Sequence, residues 1–115
     1  MSTRANILIK DGYNQLWFYR QSDGYPEVTL PTLNKFLDWV KEGKIRNNVS
    51  QAAGWLILIG REEYFEDNKI PFEPSGDEIY SWKVGAYEPT TKQHGDIEYL
   101  YIIDLEKLEI TWKKV

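Results

Sequence analysis

The stretch Tyr19-Arg20-Gln21-Ser22-Asp23-Gly24-Tyr25-Pro26 sets the sharpest limit on how this chain folds, because a β-strand cannot run through it. Asp23 offers a carboxylate to the backbone N–H groups that follow, Gly24 accepts a positive φ, and Pro26 pushes Tyr25 into an extended conformation. The stretch therefore joins a strand end to a turn, with a helix start just beyond. Before it, residues 5–10 and 15–20 are β-rich runs around Asp11-Gly12-Tyr13-Asn14, where Asp-Gly takes a positive φ readily and predicts a hairpin. Ile7 and Ile9 face one way and Leu8 the other, while Leu16 and Phe18 oppose Trp17 and Tyr19. A hairpin apolar on both faces belongs in a sheet covered on both sides, or uses one face as an interface.

Beyond the turn, Pro31 suits the first turn of a helix, since its missing N–H has no partner there in any case. Leu33, Phe36, Leu37 and Val40 follow at helical spacing, and Gly43 is a C′ stop, so the pattern predicts a helix over 30–42 with Trp39 at the edge of its stripe. Any polar member of Asn47-Asn48-Val49-Ser50 can cap a second helix over 50–66, with Ala52, Trp55, Leu56 and Ile59 on its buried face. Gly54 and Gly60 weaken that reading, and the apolar run 55–59 equally fits a buried strand. Residues 67–77, broken by Pro71, Pro74 and Gly76, read as a loop. Alternation then predicts three strands, 78–87, 97–104 and 108–113, the last two paired antiparallel across Leu105-Glu106-Lys107. The expected fold is α+β: a single domain over 1–115, in the order ββααβββ, with an antiparallel sheet of about five strands and two helices on one face.

Composition narrows the function. The chain has no cysteine, which excludes disulfides and thiolate metal sites, and its five Trp, eight Tyr and four Phe are the means of building a core. The apolar run 55–59 is far too short to cross a bilayer, and the start Met1-Ser2-Thr3-Arg4-Ala5-Asn6 has no apolar signal segment, which predicts a cytoplasmic protein without membrane partners. Residues 62–78 carry a local net charge of −6 and leave +2 on the remainder. That acidic band repels a phosphate backbone, so a nucleic-acid partner is not expected; it suits a basic protein partner, or is simply a solvated helix end and loop.

Two groups of residues carry the candidate chemistry. Arg20, Asp23 and Tyr25 form one polar group at a sheet end, with Arg20 offering a planar fork for carboxylate or phosphate. Turn formation alone accounts for Asp23, Gly24, Tyr25 and Pro26, but not for Arg20. His94, Asp96 and Glu98 form the other: at i, i+2 and i+4 of an extended strand they share a face and can hold a cation or pair a base with a carboxylate. Gly95 argues that the strand has not yet begun at His94, and a single imidazole selects zinc poorly. No metal or cofactor is expected, and no nucleophile-elbow or Gly-rich phosphate loop is present in the sequence.

Ser2-Thr3-Arg4-Ala5 leading into a strand, Tyr19-Arg20 followed by Asp23-Gly24-Tyr25-Pro26, Ala53-Gly54-Trp55-Leu56-Ile57, Gly85-Ala86-Tyr87-Glu88-Pro89 and His94-Gly95-Asp96-Ile97-Glu98-Tyr99 occur in this order along the chain. Together they resemble a family of small uncharacterised proteins of bacteriophages and prophages. Many members of that family carry His between the Arg and the Asp-Gly-Tyr-Pro turn where this chain has Gln21, which counts against an imidazole doing acid–base work there. The resemblance implies a phage or prophage accessory protein, adds Tyr87 to the candidate binding residues, and brings no established activity. Two readings follow. The first is a non-catalytic binding module that engages a host or phage protein, or a second copy of itself, through an aromatic sheet face or the acidic band. The second is a small enzyme or ligand-binding domain with a site built from Arg20, Asp23, Tyr25, His94, Asp96 and Glu98.

Overall fold

A computed structural model describes residues 2–68 and 84–115. The elements are β1 (Ala5–Lys10), β2 (Gln15–Arg20), α1 (Pro26–Lys41), α2 (Val49–Asn68), β3 (Glu88–Thr90), β4 (Tyr99–Asp104) and β5 (Glu109–Lys114). The α+β class, the two helices and the five strands agree with the pattern of the sequence. The sheet, however, is mixed rather than antiparallel. Its order is β3-β2-β1-β4-β5, and β1 and β4 run parallel, Ala5 opposite Tyr99 and Ile9 opposite Ile103. After the β1–β2 hairpin the chain passes through both helices, adds β3 at the outer edge of β2, and then reaches β4 on the other side of β1, so that a long connection separates the two parallel neighbours.

The predicted strand over 78–87 lies largely outside the described residues, and its described end, 84–87, is not a strand. The outer partner of β2 is instead the three-residue β3, with Pro89 opposite Phe18. Likewise, 67–77 is mostly outside the described residues, and its first two residues continue α2.

Helix α1 begins at Pro26, four residues before the predicted start. Two prolines fit the first helical position, and the earlier one takes it, with Tyr25 extended before it (φ −75°, ψ 155°) and Pro31 carried inside the helix. Its buried face is Thr29, Leu33, Phe36, Leu37 and Val40. Gly43, at φ +77°, ends it: Gly43 N–H donates to the Val40 carbonyl and Lys44 N–H to that of Trp39, the paired bonds of a Schellman cap. Asn48 caps α2, its Oδ1 accepting from Gln51 N–H. The buried face of α2 is Ala52, Ala53, Leu56, Gly60 and Tyr64, with Ile59 half-buried. Trp55, predicted in the core, is 41% exposed.

Both faces of the hairpin are covered. Ala5, Ile7, Ile9, Phe18, Tyr101 and Ile103 pack beneath the helices. On the far face, Tyr19, Ile97 and Leu100 form a second cluster with Trp17 and Ile102, closed by the segment that precedes β4. Among the described residues, no helix is long and apolar enough to cross a membrane.

Candidate functional site

Arg20 ends β2 on the helix face and is 2% exposed. Its Nε donates to the Ser22 carbonyl at 2.7 Å, and its two terminal nitrogens donate to both oxygens of Glu63 at 3.2 and 2.7 Å. The guanidinium also lies 5.1 Å above the ring of Tyr87. The fork read as a recognition group is thus closed by α2, and it ties the end of β2 to the second helix. Glu63 is the residue that sequence reasoning missed here. The signal was available: Leu56, Gly60 and Tyr64 define the inward stripe of α2, and Glu63 lies beside it, a carboxylate on the buried side that calls for a cation.

Tyr87 is buried to 0% exposure, and its hydroxyl has no hydrogen-bond partner among the described residues. Burial pushes its phenol up to about 12, opposed by the neighbouring Arg20 charge. Above the Arg20–Glu63 pair, Pro31, Thr32 and Lys35 of α1 and Ile59, Glu62 and Glu63 of α2 line a cleft of about 260 Å³.

The turn is held by its backbone. Gly24 N–H donates to the Thr3 carbonyl (2.9 Å), the Tyr101 hydroxyl donates to the Gly24 carbonyl (2.6 Å), and the Thr29 hydroxyl donates to the Asp23 carbonyl (3.1 Å). Positive φ falls on Asp23 (+57°), not on Gly24. Gly24 is needed for space: a Cβ there meets the Ala5 Cβ at 2.8 Å and the Thr3 carbonyl oxygen at 3.0 Å. Tyr25 occupies the N-cap position of α1 and makes no side-chain cap.

His94 and Asp96 are placed on the opposite face of the sheet. They sit in a turn before β4, so they share no strand face with Glu98. His94 stacks on Tyr19 (centroids 4.1 Å apart, planes 16° apart), its Nε2 is 2.8 Å from Thr90 Oγ1, and its backbone N–H donates to Asn6 Oδ1 at 2.7 Å. The fully buried Asn6 donates in turn to the Phe18 carbonyl. Asp96 accepts from the Tyr19 hydroxyl at 3.0 Å and lies 3.4 Å from Arg4 Nε. Glu98 takes part through its backbone, donating to the Arg4 carbonyl and accepting from Val115 N–H. This network fastens the 91–98 segment over Tyr19 and Leu100. Asn6 and Tyr19 are its anchors and went unread, because a polar residue inside an apolar strand has no meaning until its partner, 88 residues away in the case of His94, is known.

The seven candidates therefore divide. Arg20 and Tyr87 join Glu63 under α2, Asp23 and Tyr25 lead into α1, His94 and Asp96 converge on Tyr19 across the sheet, and Glu98 bonds through its backbone to Arg4 and Val115. Among the described residues, no three His, Asp or Glu side chains gather where a metal ion could be held.

Three tyrosines serve as built-in probes of these contacts. Burial raises Tyr19, Tyr87 and Tyr101 to about 12, with the bond to Asp96 and its charge adding to the effect at Tyr19. Their folded values exceed the unfolded one of 10.0, so their contribution is complete below pH 10 and is lost as pH rises from 10 to about 12. We expect stability to fall across that window. Phenolate absorbance at 295 nm should show these three titrating only near pH 12, together with unfolding. Tyrosines that ionise there by pH 10.5 without unfolding contradict this.

No family model, curated protein or solved structure matches this chain.

Proposed function

We propose that this chain is a non-catalytic, cytoplasmic binding module that docks on another protein through the outward face of α2. The observation that carries this reading is that α2 is apolar on both sides. Its inner stripe fills the core, while Trp55 and Leu58, three residues apart on the outer side, are 41% and 54% exposed. Gly54 stands beside them with no atom within 4 Å of where a Cβ would lie, leaving room for a partner's backbone to approach. Exposed Gln51 and Glu62 extend the stripe at either end, the latter with a charge that suits a basic counterpart. A large aromatic flanked by polar residues is the usual composition of an interface centre. The resemblance of the motifs to phage and prophage proteins makes a host or phage protein the partner of choice. The acidic band lies mainly outside the described residues, and the far sheet face is half closed by the 91–98 segment, so α2 replaces both as the proposed contact surface.

Trp55→Ala and Leu58→Glu alter exposed positions and should leave the melting temperature within a few degrees of the parent. Each should weaken binding of a protein captured from bacterial lysate at least about tenfold when the purified pair is titrated. Gly54→Ala should stabilise the fold by about 0.5–1 kcal/mol and still weaken binding. A captured protein that binds all three variants as tightly as the parent removes α2 as the contact surface.

A further inference from the structure

The two edges of the sheet are unlike. β3 has three residues, one of them Pro89, and is protected by its shortness and its missing N–H. β5 is a regular six-residue strand without proline, and all of its residues except Ile110 are exposed. Trp112 stands on its helix side at 47% exposure, against Tyr99 and Tyr101 at centroid distances of 6.0 and 6.4 Å. On the other side, Glu109 lies directly opposite Asp104 of β4, a like-charge pair that is unfavourable within one chain. Asp104 is partly compensated by Lys10 at 3.9 Å and by the Glu106 and Lys107 N–H groups, whereas, among the described residues, Glu109 has no ion pair and the indole of Trp112 keeps its outer half uncovered.

We infer that β5 pairs with β5 of a second copy of this chain, antiparallel about a two-fold axis through Thr111. In that register Glu109 of each copy faces Lys113 of the other, and Ile110 faces Trp112. The polar side of the seam gains two symmetric ion pairs that offset the Asp104–Glu109 repulsion, and the helix side gains a closed apolar cluster over the exposed indole. Displacing the centre to Ile110 sets Lys113 against Lys107. Displacing it to Trp112 sets Ile110 against Lys114. Only the Thr111 register among these matches charge with charge and apolar with apolar, which is what an isologous strand pair demands. An axis perpendicular to the sheet keeps the helices of both copies on one face and leaves the outer stripe of α2 uncovered by the pairing itself, so this inference is independent of the proposed binding function.

The test is a concentration series of the full chain by sedimentation velocity with the mass checked by light scattering. The parent should pass from 13.6 kDa to twice that mass as concentration rises. Glu109→Lys and Lys113→Glu, each placing like charges across the seam, should each weaken self-association by about tenfold or more. An equimolar mixture of the two variants should dimerise again, because the lysine introduced at position 109 of one chain then meets the native Lys113 position of the other as a glutamate. A parent that stays monomeric to millimolar concentration overturns the inference, as does a dimer that survives both single substitutions. A dimer lost on Leu58→Glu but kept in Glu109→Lys overturns it too and transfers self-association to α2.

Discussion

Replacing Arg20 by alanine is expected to lower the stability of the fold by about 3–5 kcal/mol, enough to unfold a domain of this size near physiological temperature. The guanidinium is almost fully buried and makes three hydrogen bonds, two to Glu63 and one to the Ser22 carbonyl. Its removal leaves a mostly buried carboxylate without its cation, opens a cavity above Tyr87, and unties β2 from α2. Arg20→Lys should recover little, since an ammonium cannot span both Glu63 oxygens and the Ser22 carbonyl from one position. The double replacement Arg20→Met with Glu63→Leu should restore most of the loss, because removing both charges leaves neither one stranded. Tyr87→Phe should be neutral or stabilising by up to about 1 kcal/mol, as its hydroxyl has no partner among the described residues. Urea denaturation of the four variants reads all of this. An arginine kept for ligand recognition gives the opposite pattern: an unchanged midpoint in Arg20→Ala and no rescue by the second substitution.

What could be read from the sequence was local. The hairpin, the Gly43 stop, the buried stripe of α1 and the antiparallel β4–β5 pair each rest on residues within a few positions of one another, so periodicity and turn chemistry carry them. Long-range pairings were not legible in the same way. Nothing in residues 97–104 says whether that strand runs with or against β1, since Ile7 and Ile9 pack as well against Tyr101 and Ile103 in either direction. The start of α1 was misplaced because Pro26 and Pro31 both fit the first helical position, and the choice depends on the Thr3 and Tyr101 contacts that fix Gly24. Trp55 was assigned to the core because helical spacing marks two apolar stripes on α2 and does not say which of them meets the sheet. The grouping of the candidate residues was illegible for a related reason. His94 and Asp96 were grouped with Glu98 by sequence spacing, whereas their partners are Tyr19, Thr90, Asn6 and Arg4.

These misreadings share a direction. Arg20 and His94, both candidates by sequence, each tie down a segment through a partner that was not: Arg20 and Glu63 hold β2 to α2, and His94 and Asn6 hold the 91–98 segment to the sheet, while Asn47 reaches the Leu105 carbonyl at 3.1 Å. A chain of this length has limited core to bury, and specific polar ties fix the register of whatever the core does not grip. Large apolar side chains, by contrast, stand exposed on the surface, Trp55 and Leu58 on α2 and Trp112 on β5 among them. Function is therefore sought there and not among the charged groups.

The second large effect is expected at Gly85, whose substitution by alanine should destabilise the fold by about 4 kcal/mol. The backbone of residues 84–87 is pressed against α2. A Cβ on Gly85 lies 2.6 Å from Arg61 N, 2.7 Å from the Gly60 carbonyl carbon and 2.8 Å from the Arg61 Cα, all backbone atoms that cannot swing aside. Its φ of +152° is a further strain for any L side chain. Gly60 is the matching half of the contact: a Cβ there falls 2.9 Å from both the Tyr87 amide nitrogen and its ring, and the Gly60 carbonyl accepts from Ala86 N–H at 3.1 Å. The two glycines thus set how closely the chain passes α2, and that approach places Tyr87 beneath Arg20. Gly60→Ala should cost about 2–3 kcal/mol, and the Gly60→Ala/Gly85→Ala double variant less than the sum, because a single displacement of the 84–87 segment relieves both clashes. Gly54→Ala is the internal control, a glycine on the same helix that should gain stability from the same change. Chemical denaturation of the four proteins gives the answer. If Gly85→Ala shifts the free energy by less than about 1 kcal/mol, the close approach is not what fixes Tyr87, and the Arg20–Glu63 pair must hold the segment without it.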